Sequence, residues 1–284
     1  MIDDVVSRGA DALRAAGIKT ARLDAELLLQ FTLGVNRTQF LTMEDRQLSL
    51  TEADMFADLI ERRGSREPLQ YITGEAAFRH LLLRVTPDVL VPRPETEWVA
   101  EEVIAAVRHV HEPRVLDIGT GSGAIAIAVA SEVPGAEVVA TDVSRPALAI
   151  AMGNASDHNV TEHIQFFLSD YFKNLPERLE QSFNVIVSNP PYISHAELAS
   201  LDPEVRDHEP LVALSPGHDP LAPHRVIAAE APRFLKPNGL LILEVGAGSG
   251  PAGKAVLAAT GLYKNIELLL DLAGQDRVIK GVLL

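Results

Sequence analysis

Four consecutive residues, Asn189-Pro190-Pro191-Tyr192, follow the apolar run Phe183 to Val187 and could do chemistry on a planar nitrogen. The two prolines stiffen the turn and remove two backbone N–H donors, so the local backbone presents carbonyls. The Asn189 side chain adds a carbonyl of its own. Together they make an acceptor pair suited to a flat NH2 group, and Tyr192 is placed to stack on the same plane. An amide or aromatic amine nitrogen is a poor nucleophile, because its lone pair is delocalised. Holding both N–H bonds in acceptors fixes the group and aims its lone pair at an electrophile. The positive charge that develops on nitrogen is stabilised, and no strong base is needed before transfer.

A second cluster lies upstream. Val115-Leu116-Asp117-Ile118-Gly119-Thr120-Gly121-Ser122-Gly123 puts a glycine-rich loop between a predicted strand and a predicted helix. Glycine there permits a tight turn, a close approach of backbone to ligand, and close helix–strand packing. Asp142, 19 residues after Gly123, ends the next predicted strand and can accept from both ribose hydroxyls of an adenosine. The third glycine comes one position earlier than in the dinucleotide fingerprint, and Asp117 stands just before the loop. An acid there would repel a pyrophosphate and suit a ligand with a cationic amino-acid moiety, so S-adenosylmethionine fits better than NAD. The segment Gly246-Ala247-Gly248-Ser249-Gly250 also follows a strand, with Asp271 21 residues beyond it. The glycine-plus-acid pattern therefore occurs twice. The first copy is preferred because it opens the alternating region, and the second is read as a flexible turn.

The elements that must position these groups differ along the chain. Residues 1–75 read as helical: Ile2, Val5, Val6, Leu13 and Ala16 recur at helical spacing, and Ala21 to Leu33 repeats the pattern between Thr20 and Gly34. Thr51 to Asp54 reads as a capping box ahead of Met55, Phe56, Leu59 and Ile60. From Gly74 to Arg93, alternation of Phe78, Leu81, Leu83 and Val85 predicts a hairpin or a pair of short strands. Pro94 then opens a helix carrying Trp98, Val99, Val103 and Val107, with Trp98 read as core. Beyond His111 the rhythm is strand and helix in turn. Strands are expected at 114–118, 137–140, 164–168, 185–187 and 240–245, and helices at 124–130, 146–154 and 222–235. Such alternation means βαβ units and a mostly parallel sheet.

Composition bounds the function. The 284 residues include no cysteine, which removes disulfides, thiolate-held metals and a cysteine nucleophile. At 47% hydrophobic and 23% charged the chain is of ordinary globular composition. No apolar run approaches a bilayer span, and the acidic start MIDDVVSRGA does not look like a signal peptide, so a cytoplasmic location is expected. The formal charge of −14 argues against a mainly electrostatic grip on nucleic acid. His109, His111 and the other histidines are read as surface residues, and no metal site is expected.

Taken together, Gly119 to Gly123, Asp142 and Asn189 to Tyr192 resemble class I methyltransferases that modify planar nitrogen. The flanking strings narrow the resemblance: Arg66-Glu67-Pro68-Leu69-Gln70-Tyr71, Val91-Pro92-Arg93-Pro94-Glu95-Thr96-Glu97, Val187 to Ile193, and Asp202-Pro203-Glu204-Val205-Arg206. Over nearly the full chain the sequence resembles the PrmC/HemK-type release factor glutamine methyltransferases. The resemblance implies an α/β fold with a Rossmann-like class I methyltransferase sheet, a small N-terminal helical-bundle domain and a β-hairpin linker. It implies a substrate-recognition domain at 1–75, the linker at 76–93 and a catalytic domain at 94–284. The implied reaction moves a methyl from S-adenosyl-L-methionine, leaving S-adenosyl-L-homocysteine. The acceptor would be the side-chain amide nitrogen of the glutamine in the Gly-Gly-Gln motif of class 1 peptide chain release factors.

By motif matching, Gly119, Thr120, Gly121, Ser122, Gly123, Asp142 and Asn189 would hold the cofactor, with Tyr171 against its adenine. Asn189, Pro190, Pro191 and Tyr192 would hold the glutamine amide, with Asn189, Pro190 and Tyr192 in the catalytic role and Phe78 near the substrate. Arg93, Glu95 and Thr96 match the linker signature and are not read as catalytic; Arg93 is a candidate to tie the linker down through an ion pair. A monomer is expected, with no membrane and no stable nucleic-acid partner. Two stretches depart from the family pattern, Gly217 to Arg225 and Glu244 to Gly248, and neither is expected to touch the cofactor or amide motifs. The same acceptor pair would serve an exocyclic amine, so nucleobase N-methylation on RNA or DNA stays open as an alternative, as does a non-enzymatic nucleotide-binding module.

Overall fold

The structure is a computed structural model that describes residues 1–43 and 45–284. Helices α1 (Ile2–Ala15), α2 (Ala21–Leu33), α3 (Arg37–Leu41), α4 (Leu50–Gly64) and α5 (Leu69–Thr73) come first, followed by the short strands β1 (Glu75–Phe78) and β2 (Leu81–Arg84). Then come α6 (Pro94–Val107), β3 (Arg114–Ile118), α7 (Ala124–Glu132), β4 (Glu137–Asp142), α8 (Arg145–Asp157), β5 (Ile164–Leu168) and β6 (Phe183–Ser188). The last part holds α9 (Pro203–His208), α10 (Leu211–Leu214), α11 (Ala222–Glu230), β7 (Leu235–Glu244), α12 (Gly250–Thr260), β8 (Tyr263–Leu270) and β9 (Asp276–Leu283). The chain forms two compact units: residues 1–75 with 202–208, and residues 76–201 with 209–284.

The first unit is helical. Val6, Ala10 and Leu13 of α1, Ala25, Leu28 and Leu29 of α2, and Phe56 and Leu59 of α4 form its core. Gly9 lets α1 and α4 approach closely, since a Cβ there would stand 2.8 Å from Phe56 Cζ. The start of α4 differs from the expected capping box. Ser49 is the N-cap, its Oγ accepting from Glu52 N–H, while the Glu52 carboxylate reaches back to the Ser49 N–H at 2.8 Å. Glu52 has the length for that reciprocal contact, so the helix begins two residues earlier than the Thr51 reading placed it.

Segment 202–208 joins this unit through charge. Arg63 on α4 donates through Nε to Asp24 at 2.7 Å and through Nη1 to Glu204 of α9 at 3.1 Å. Arg66 adds Nη2 to Glu204 at 2.6 Å. Two of the strings singled out in the sequence, 66–71 and 202–206, thus meet in one ion-paired cluster.

The second unit carries a seven-stranded sheet in the order β5-β4-β3-β6-β7-β9-β8, beside the two-stranded β1-β2 sheet. Strands β5, β4, β3, β6 and β7 are parallel, and β9 runs antiparallel to both β7 and β8. Helices cover both faces, so the inner strands are apolar on both sides. Val185, Val187 and Ile242 pack with α6 and α7 on one face, whereas Leu116, Ile186, Leu241 and Leu243 pack with α11 and α12 on the other. The antiparallel pair β8 and β9 was not anticipated. Helix α11 also stops at Glu230, and Leu235 already begins β7. On α6 the buried stripe is Thr96, Val99, Ala100, Val103, Ile104 and Val107. That stripe leaves Trp98 38% exposed, so its reading as core is corrected.

Arg63 is the buried cation of the helical unit, with Asp24 as its equally buried partner. Arg63→Ala would leave that carboxylate unpaired and should cost about 3–5 kcal/mol. Arg62→Ala, which breaks a far more exposed pair with Glu67, should cost about 1 kcal/mol or less. Urea unfolding of both variants, followed by helical circular dichroism, checks the contrast.

Candidate functional site

Strand β3 has a parallel neighbour on each side, and the chain leaves it first toward β4 and later returns to β6. A crevice opens where the winding reverses in this way, at the carboxyl ends of the strands. The pairing register makes those ends level. Ile118 lies beside Thr141 of β4 and Ser188 of β6, and Ser188 lies beside Leu243 of β7. One residue further along each segment stand Gly119, Asp142, Asn189 and Glu244. A cleft of about 450 Å³ opens there, lined by Asp117, Gly119, Thr120, Gly121, Ser122, Asp142, Tyr171, Asn189, Pro190 and Pro191 among others.

The glycine loop is shaped by backbone contacts. Gly119 and Thr120 both donate to the Thr141 carbonyl, and Gly121 N–H donates to Asp142 Oδ2 at 2.9 Å. Gly121 has φ +56, and a Cβ on it would meet no atom within 4 Å, so its value lies in the turn itself. Gly123 differs. At φ +85 its Cβ would stand 2.8 Å from Ile127 Cδ1 and 3.2 Å from Ala151 Cβ, so it brings α7 against α8 and does not line the cleft. Behind the loop, the fully buried Asn154 of α8 donates to the carbonyls of Ser122 and Arg84 and accepts from Arg84 N–H. One amide side chain thereby ties the loop to β2. Its signal in the sequence is slight: a polar residue on the small-residue face of a helix.

Two carboxylates face the cleft. Asp142 accepts from Ser144 N–H through Oδ1 and from Gly121 N–H through Oδ2; burial pushes its acidity down, and these amides partly offset the effect. Asp117 is 1% exposed and accepts from Thr120 Oγ1 through Oδ2 at 2.7 Å. Its Oδ1 has no hydrogen-bond partner among the described residues, although the Ala126 amide in the first turn of α7 acts to lower its pKa. Burial, set against those contacts, raises its pKa to about 7.

Asn189 belongs to a polar chain that the sequence did not reveal. Its Nδ2 donates to Thr96 Oγ1 at 3.0 Å, and Thr96 Oγ1 donates to Glu244 Oε2 at 2.8 Å. Tyr192 OH donates to Glu244 Oε1 at 3.2 Å, and His224 Nε2 lies 2.8 Å from the Glu244 carbonyl. Glu244 is 1% exposed; burial raises its pKa to about 7 against the Thr96 hydrogen bond and the Arg277 charge. The two departing stretches, represented by His224 and Glu244, therefore do reach the amide motif. Tyr192 also sits differently from the expectation. Its hydroxyl turns inward to Glu244 and its ring lies over Gly246, where a Cβ would stand 3.1 Å from Tyr192 Cδ2. Part of the second glycine segment thus makes room for Tyr192, and Gly250 N–H is bound by Asp276. Phe78 is wholly buried among Leu81, Leu83 and Val99 and offers no surface to a substrate, so its expected place beside one is corrected to core. Arg93 pairs with both oxygens of the buried Glu209 at 2.7 Å, a tie within the second unit.

A doubly wound sheet of this order, with acids at the ends of its first two strands and Asn-Pro-Pro at the fourth, is the class I methyltransferase fold. The hMettl16 catalytic domain in complex with MAT2A 3'UTR hairpin 1 shares that fold, with a TM-score of 0.57 and 16% identity over 81% of this chain and 79% of that one. Residues 4–74 match the PrmC N-terminal domain, and residues 100–202 match the methyltransferase small domain. The release factor glutamine methyltransferase of Cereibacter sphaeroides is 42% identical over 96% of this chain and 97% of its own. That of Caulobacter vibrioides is 40% identical over 96% and 93%. The chain belongs to the release factor glutamine methyltransferase family.

Asn154→Leu keeps the bulk of the side chain but strands the Ser122 carbonyl and the backbone N–H and carbonyl of Arg84. It should destabilise the protein by roughly 2 kcal/mol or more, seen as a lowered melting temperature.

Proposed function

We propose that this chain transfers a methyl group from S-adenosyl-L-methionine to the side-chain amide nitrogen of the glutamine in the Gly-Gly-Gln motif of class 1 peptide chain release factors. One observation carries the reading: Asn189 is anchored through its Nδ2, which leaves its Oδ1 as an acceptor at a cleft that also holds two buried carboxylates.

The residues present suit the cofactor. The unpartnered Asp117 Oδ1 calls for a cation or donor, which the cofactor's amino-acid portion has. Asp142, already oriented by two backbone amides, has lone pairs left for ribose hydroxyls. Tyr171, half-buried on the cleft wall, offers a face for adenine, and the open space over Gly119 and Gly121 admits the ligand against bare backbone. Bound there, the cofactor supplies a methyl on a sulfonium, an electrophile that needs no acid from the protein.

The chain's own work is orientation. Asn189 Oδ1 and the backbone carbonyl at the Asn-Pro-Pro turn accept the two N–H bonds of the substrate amide. They hold its plane and stabilise the positive charge that grows on nitrogen. Once the new bond forms, the nitrogen is acidic enough to release its proton to solvent. Tyr192 contributes through Glu244. We assign recognition of the release factor to residues 1–75 and catalysis to 94–284, with 76–93 between them, in a cytoplasmic monomer. The net charge of −14 favours a protein acceptor over a nucleic acid.

Purified class 1 release factor should take up label from methyl-labelled cofactor, and a variant lacking the motif glutamine should not. Nuclease-sensitive label in RNA or DNA would instead establish nucleobase methylation. Asn189→Ala should lower turnover by roughly 10²-fold with little change in cofactor affinity, and full turnover would refute its role. Asp142→Ala should weaken cofactor binding by about tenfold or more in calorimetry, through lost ribose contacts and a loosened loop.

A further inference from the structure

We propose that Thr96 and Glu244 are positioning residues that set the polarity of the Asn189 carboxamide, so that its oxygen and not its NH2 is presented to the acceptor amide. The inference rests on the methyl-transfer reading of Asn189.

The two ends of a carboxamide have nearly the same shape and opposite hydrogen-bonding character. Shape alone therefore does not choose between them, and the surrounding donors and acceptors must. Here the choice is transmitted from a charge. An ionised Glu244 can only accept, and it takes hydrogens from two hydroxyls, Thr96 on Oε2 and Tyr192 on Oε1. Thr96 has one hydroxyl hydrogen. With that hydrogen committed to Glu244, only lone pairs remain toward Asn189, and Nδ2 is the end that can meet them at 3.0 Å. The reversed amide would set Oδ1 against a hydroxyl oxygen and turn two hydrogens toward the N–H bonds of the substrate.

Geometry makes the arrangement firm. Glu244 and Asn189 stand one residue beyond the paired Leu243 and Ser188, so strand pairing fixes their spacing. Thr96 is buried in the first turn of α6. The charged and titratable groups facing Glu244 are Glu95 on α6, Tyr192 after β6 and Arg277 on β9, with His224 of α11 on its backbone carbonyl. Arg277 favours the ionised carboxylate, and Glu95 opposes it. Burial lowers the pKa of His224, against the pull of the Glu244 carbonyl.

Protonation of Glu244 would break the chain of polarity, because a carboxylic acid can donate to Thr96 and release its hydrogen toward Asn189 Oδ1. Turnover at saturating cofactor should therefore rise with pH as Glu244 ionises. Burial of this carboxyl raises its pKa to about 7, which puts the acid limb within the working range.

The test is steady-state methylation of release factor, with cofactor affinity and melting temperature measured on each variant. Thr96→Val should lower kcat by roughly 30-fold or more while KM for the release factor moves less than about threefold, and Thr96→Ser should recover most of the loss. Glu244→Gln keeps the shape but can accept from only one of the two hydroxyls through its oxygen. It should show a similar fall and lose the acid limb. Should either variant fold poorly, the other carries the test. The proposal is overturned if Thr96→Val keeps wild-type kcat, if serine fails to rescue, or if the acid limb survives in Glu244→Gln. Asn189→Ala run in parallel separates the two levels. Retained turnover there removes the reading of Asn189 itself, whereas its loss beside an active Thr96→Val removes only the polarity inference.

Discussion

The strand register is the constraint on which the site depends. Four chain segments far apart in sequence present their functional residues at one height because Ile118, Thr141, Ser188 and Leu243 are neighbours across a parallel ladder. A slip of one residue in β6 would carry Asn189 about 3.3 Å along the strand and turn alternate side chains to the opposite face. The structure guards against that slip at the point where it would matter. Ser188, 1% exposed, donates its hydroxyl to the Ile118 carbonyl at 2.7 Å, locking β6 to β3 at the last rung before the Asn-Pro-Pro turn.

At these strand ends the protein places the buried carboxylates Asp117, Asp142 and Glu244, and each is satisfied differently. Asp142 is met by backbone amides, which orient it without consuming all its lone pairs. Glu244 is met by two hydroxyls and the charge of Arg277, all from the protein, so its role is internal. Asp117 is met on one oxygen only. A buried carboxylate with an empty acceptor costs stability that packing elsewhere must offset, and such groups persist where a ligand completes them. The contrast separates carboxylates that face a ligand from one that organises a neighbour, a division that residue type alone does not give.

Legibility in the sequence followed the range of the interaction. The glycine turn and the Asn-Pro-Pro corner could be read because their chemistry is local: it resides in backbone freedom and missing N–H groups within a few residues. The parallel core could be read from short apolar runs separated by helices. The strands β8 and β9 could not, since their burial is partial and their partners are antiparallel at one edge. The sequence points to Phe78 and Tyr192 but sets both beside the substrate amide; whether an aromatic faces a cleft or a core depends on what packs over it. The link from Asn189 through Thr96 to Glu244 was out of reach. It joins residues 93 and 148 positions apart, and although Thr96 stands in a string that matches the family, nothing in that string points to Asn189 or Glu244 as its partner.

The short strings that stood out in the sequence nevertheless have a common physical meaning. Arg66 of one string meets Glu204 of another; Arg93 meets Glu209; Thr96, three residues on, meets both Asn189 and Glu244. Each is one end of a polar contact whose other end is distant in sequence. Removing one partner from such a contact is costly when the other is buried, as Glu209 and Glu244 are, because the remaining charge has no substitute for water. Paired ends of this kind are bound to each other more tightly than the apolar positions around them, where one aliphatic side chain can stand in for another. A polar string outside the reacting centre is therefore best read as half of a contact, with its complement sought elsewhere in the chain, and here the complement of Thr96 leads directly to the amide that the cleft presents.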